Sequence, residues 1–61
     1  ATDPENTQLF VSLADILRDD GKYSESERYY KVAINQDKSL VDAYLNLAFL
    51  LDKAWRFENN L

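Results

Sequence analysis

Residues 10–17 read FVSLADIL and residues 44–51 read YLNLAFLL. Laid one over the other at an offset of 34, they keep Leu13 over Leu47, Ala14 over Ala48 and Leu17 over Leu51, with Phe10 over Tyr44. The same offset lays Asp3 on Asp37 and Tyr23 on Phe57, so four of the six pairs are identities and two exchange aromatic for aromatic. Apolar residues at i, i+3, i+4 and i+7 fall on one stripe of a helix. The chain therefore carries two copies of one amphipathic helix, 34 residues apart.

Outward from the first copy, Asp3-Pro4 marks a helix start, with Asp3 as N-cap and the proline where no N–H is missed. Leu9, Phe10, Leu13, Ala14, Ile16 and Leu17 recur at helical spacing and predict a helix from about Pro4 to Asp20. Gly21 is the only glycine and ends it, since glycine takes the left-handed C-terminal conformation without steric cost. Ser24-Glu25-Ser26-Glu27 then fits a capping box. Tyr29, Tyr30, Ala33 and Ile34 supply the inner face of a second helix that ends near Asp37. So short a link requires an antiparallel hairpin.

A third helix is expected from about Ser39, a candidate cap, to Phe57 or beyond, followed by a fraying tail of Glu58 to Leu61. Ten of the twelve residues from Leu40 to Leu51 are apolar, so this helix is apolar around most of its circumference and expects neighbours on two sides. Tyr44, Leu47 and Leu51 are expected to be covered by the hairpin. Leu50, Trp55 and Phe57 are expected on the uncovered side.

The period and the residue types resemble the tetratricopeptide family, whose repeat is a 34-residue helix-turn-helix. Phe10, Leu13, Ala14 and Leu17 answer the pattern of its first helix, and Ser26, Tyr30 and Ala33 that of its second. The resemblance covers residues 7–40 as one full repeat, with 41–61 as the first helix of another and a tail. It departs from the family at Lys38, where the closing proline is expected, and at Trp55, where a glycine would break the third helix. The implied fold is all-α: an antiparallel hairpin plus a third helix, as a fragment of a right-handed superhelix within a single domain.

Composition narrows the function. With 61 residues and neither Cys nor His, the chain has no disulfide, and no cofactor or metal is expected. The usual general bases and soft nucleophiles are missing, as is any glycine-rich phosphate loop, so an enzyme is not expected. Asp15, Asp19 and Asp20 suggest calcium, but an EF-hand register with Gly21 at the turn puts Ile16 and Arg18 at ligand positions, and the motif fails. The net charge is −4, all of it from residues 1–20, which disfavours nucleic acid and anionic membrane. No apolar run exceeds the five residues Leu47–Leu51, far short of the roughly 20 that cross a bilayer. An opening Ala1 in place of Met is expected of a piece excised from a longer protein.

Binding is what the resemblance implies. In that family the first helix of each repeat lines a concave groove for a peptide or a partner helix. By register the groove residues are Gln8, Val11, Ser12, Asp15, Arg18 and Asp19, with Asp42, Leu45, Asn46, Phe49, Asp52 and Lys53 from the second copy. Four aspartates against two bases, around an apolar centre of Val11, Leu45 and Phe49, suit a basic or mixed apolar protein or peptide. Relatives that grip carboxylates use Lys, Asn and Arg there, and Asn46 alone does not make that clamp. Two alternatives remain. One is self-association through the third helix, with Leu50, Trp55 and Phe57 in the contact; the other is a designed or excised minimal domain without a native ligand.

Overall fold

The computed structural model describes residues 4–59. Three helices follow one another: α1 (Pro4–Asp19), α2 (Tyr23–Gln36) and α3 (Val41–Asn59). The expected N-cap Asp3 and the last two residues of the expected tail lie outside the described residues. Glu58 and Asn59 are helical, not frayed, and the Asn59 amide donates back to the Trp55 carbonyl at 2.8 Å.

The turn after α1 is where the sequence speaks most directly. Gly21 has φ +83°. Its N–H donates to the Arg18 carbonyl at 3.0 Å, while the Lys22 N–H reaches the Leu17 carbonyl at 2.9 Å. These two bonds form a Schellman closure, with glycine at the left-handed position. Lys22 then serves as N-cap of α2 without a side-chain hydrogen bond, its own carbonyl accepting from Ser26 at 3.0 Å. The capping box expected at Ser24 does not form. Because one residue closes α1 and opens α2, the second helix starts at Tyr23 and Ser24 already lies inside its first turn. Glu27 pairs instead with Lys31 at 2.9 Å, an i,i+4 pair.

Contacts between α1 and α2 run in opposite senses, from Ala14 with Ser26 through Phe10 with Tyr29 to Thr7 with Gln36, so the pair is an antiparallel hairpin. Small residues set its closeness. Ser26 is fully buried and donates its hydroxyl to the Ala14 carbonyl at 2.5 Å, and Ala14 and Ala33 are fully buried too. Phe10 stacks on Tyr29 with centroids 6.0 Å apart. Thr7, also buried, donates to the Gln36 side chain at 2.9 Å. No buried side-chain nitrogen or oxygen among the described residues lacks a partner.

Between α2 and α3 the chain turns at Asp37. One carboxylate oxygen accepts both the Ser39 N–H at 3.0 Å and its hydroxyl at 2.6 Å. These bonds hold the Asp37 carboxyl below the usual carboxylate range, the hydroxyl contributing most. Ser39 thus braces the corner and does not cap α3.

α3 lies mainly on α2 and touches α1 more lightly. Ala43 and Leu50 enter the core beside Val11, Ala14, Tyr30 and Ala33, with Leu47 packed partly against them. Two expectations are corrected here. Leu50, expected on the uncovered side, is fully buried, whereas Tyr44 and Leu51, expected under the hairpin, are each 45% exposed. The cause is rotational. In the first copy the Phe10, Ala14 and Leu17 face meets α2 of its own hairpin, whereas the matching Tyr44, Ala48 and Leu51 stay exposed and α3 docks through a different face. Leu9 and Ile16, which belong to the periodic apolar set of α1, are 65% and 64% exposed. At the offset of 34 they align with Ala43 and Leu50. α1 therefore displays the same face by which α3 docks.

Candidate interaction surface

α3 divides into three faces at 100° per residue. One, with Ala43, Leu47 and Leu50, is docked on the hairpin. A second carries Asp42, Leu45, Phe49 and Asp52, and the third carries Tyr44, Ala48, Leu51 and Trp55. The second face adjoins α1, and there the structure brings several of the expected groove residues together.

Phe49 is its centre. Phe49 is 54% exposed yet its ring is met by two cations, the Arg18 guanidinium 5.5 Å from the centroid and the Lys53 ammonium 5.6 Å from it. Such placements are attractive because the ring face carries negative charge density. Arg18 is held in turn from α1 and α2. It meets Asp15 at 3.5 Å and Asp19 at 3.4 Å, and it donates to the Tyr30 hydroxyl at 3.1 Å. Tyr30, whose residue is fully buried, donates its own hydroxyl to the Asp15 carboxylate. Burial first, and the Asp15 carboxylate second, push the Tyr30 phenol well above its ordinary value.

The remaining groove residues are placed as follows. Gln8, Ser12, Asp19, Asp42, Leu45, Asp52 and Lys53 are exposed, while Asp15, Arg18 and Asn46 are half-buried. Asp52 pairs with Arg56 at 3.1 Å along the helix. Val11 is the exception: it is only 8% exposed and belongs to the core, so the apolar centre of the surface is Leu45 and Phe49 alone. Trp55 and Phe57 are exposed on α3, and the Phe57 ring meets Tyr23 edge-on at 5.9 Å.

The carboxylates at the end of α1 are engaged by cations, Asp15 and Asp19 by Arg18 and Asp20 by Lys22 at 3.8 Å. Among the described residues no group of three or more Asp and Glu is placed to hold a metal ion. No described helix is long and apolar enough to cross a membrane.

Compared with family models, with curated proteins and with solved structures, the chain matches none. What it does must be read from its own surface. Two features of that surface were missed in the sequence: Tyr30 as the polar anchor beneath Arg18, and Tyr44-Ala48-Leu51 as an open face. The i,i+3 spacing of Asp15 and Arg18 was a signal for the first, and the offset of 34 for the second.

Proposed function

We propose that the chain is a tetratricopeptide-like protein-interaction module, about one and a half repeats long, that binds a peptide or helix of another protein along α1 and α3. The observation that carries this reading is Phe49: a large ring left half in solvent and held in place by two cations and a network behind them. An exposed ring that is already fixed loses little side-chain entropy on binding. Leu45 extends the apolar centre along α3. Arg18 is committed to Asp15 and Asp19, and Asp52 to Arg56, which leaves Asp42 to favour a partner with a basic residue beside an apolar or aromatic one.

The test is a titration of isotopically labelled protein with peptides that alternate Lys or Arg with Leu or Phe. Shifts confined to Ser12, Leu45, Asn46 and Phe49 are expected. Phe49→Ala should weaken binding at least tenfold while costing stability only about 0.5–1 kcal/mol, the worth of an exposed cation–π contact. Unchanged affinity in Phe49→Ala, or no shift with any such peptide, contradicts the proposal.

A further inference from the structure

On the third face of α3, Val41, Tyr44, Ala48, Leu51, Trp55 and Glu58 alternate at spacings of three and four, the pattern of a two-helix seam. Tyr44 and Leu51 are 45% exposed and Trp55 is 65% exposed. In α1 the equivalents of the central three, Phe10, Ala14 and Leu17, are buried or half-buried against α2. α3 thus carries a helix-packing face with no described helix on it.

We propose that the occupant is α3 of a second copy of this chain, in a symmetric antiparallel pair. This goes beyond the peptide-binding proposal and does not rest on it, because the seam lies on a different side of α3 from Phe49. Antiparallel register sets Tyr44 against Trp55 of the second copy and Ala48 against its Leu51, so a small residue meets a large one at each central layer. Val41 then meets Glu58 only at the ends. A parallel pair would put Asp52 beside Asp52 and Glu58 beside Glu58, and would align the helix macrodipoles unfavourably. With aromatic side chains at 150–250 Å² each, the stripe leaves roughly 400 Å² of apolar side chain open per chain. A pair buries about 800 Å², below the roughly 1,200 Å² at which stable interfaces begin and in the range of transient ones. The dimer is therefore a weak, concentration-dependent one. A symmetric contact also closes on itself, whereas docking the Leu9 and Ile16 face of one copy onto α3 of the next runs on into open filaments.

Sedimentation equilibrium from micromolar to millimolar concentration tests this on the full chain. A monomer–dimer equilibrium is expected, with Ala48→Glu raising the dimer dissociation constant at least a hundredfold. Ala48 is exposed within its own chain, so that change should leave helical circular dichroism intact. Trp55→Ala, at a second exposed position, should weaken the dimer in the same way. Because the chain has no cysteine, Val41→Cys and Glu58→Cys chains mixed under mild oxidation report orientation. The mixed disulfide is expected to dominate. A monomer at every concentration, open-ended larger species, a dimer indifferent to Ala48→Glu, or like-with-like disulfides would each overturn the proposal.

Discussion

Leu50→Ala is expected to cost about 2–5 kcal/mol, the range for truncating a large buried aliphatic side chain and leaving a cavity. Leu51→Ala, one residue along the same helix, should stay within about 1 kcal/mol under dilute, monomeric conditions. The contrast follows from burial, since Leu50 is fully enclosed among Val11, Ala14, Tyr30 and Ala33 while Leu51 is half in solvent. Ile16→Ala supplies the control within the repeat, because Ile16 holds the register position of Leu50 in the first copy yet stands 64% exposed. It should change stability by no more than about 0.5 kcal/mol. Leu47→Ala should fall between, since that side chain is only partly covered. Urea titrations followed by helical circular dichroism measure all four. In so small a domain a loss at the upper end of the Leu50 range leaves much of the population unfolded without urea. Equal losses at positions 50 and 51 would mean that α3 docks through another face.

Tyr30→Ala should be as damaging, at about 3–5 kcal/mol for removing a buried ring. Its conservative counterpart is more informative. Tyr30→Phe keeps the ring and removes only the hydroxyl that donates to Asp15 and accepts from Arg18, and should cost about 1–2 kcal/mol. Asp15 keeps its ion pair with Arg18 and partial access to water, which holds the cost down. The same hydroxyl makes stability depend on alkaline pH. Unfolded tyrosine loses its proton near about pH 10. Folded Tyr30, its phenol pushed upward by burial and then by Asp15, keeps the proton beyond that point. The contribution is therefore fully present below about pH 10 and is lost as pH rises from there toward the folded-state value. Urea midpoints across this range should fall in the native chain and fall less steeply in Tyr30→Phe. The other three tyrosines are common to both chains. Identical slopes would remove Tyr30 from the account.

The residues also show which parts of this architecture a sequence discloses. Gly21 marked the end of α1 because only a left-handed residue closes it as a Schellman turn, and φ is +83° there. Ala14, Ser26, Tyr30 and Ala33 were legible as the inner contacts of the hairpin because their sizes and spacing suit close helix packing, and all four are fully buried. Ser24 misled, since nothing in its own neighbourhood reveals that Lys22 serves both helices. Leu50 and Leu51 misled for another reason. Periodicity tells which residues share a face, but a helix apolar nearly all round leaves open which face a neighbour takes. The offset of 34 contained the answer, as it lays exposed Ile16 over buried Leu50 and buried Ala14 over exposed Ala48. Phe49 was legible as an outward residue. The Arg18 guanidinium over its ring was not, because Arg18 lies 31 positions earlier and reaches it only once α3 has docked.

We propose that α3 repeats the role of α1 and can accept a helix of the kind that α2 gives α1. A chain of residues 1–54 followed directly by another copy of residues 21–40 puts Gly21 after Ala54 and offers α3 the helix that α2 gives α1. Its urea unfolding, set beside that of the native chain, is the most direct test. The account predicts a single cooperative transition with a higher midpoint and a steeper denaturant dependence, because the new helix buries Tyr44, Ala48 and Leu51. A midpoint no higher than the native one, with the added segment showing no helical signal, would contradict the repeat.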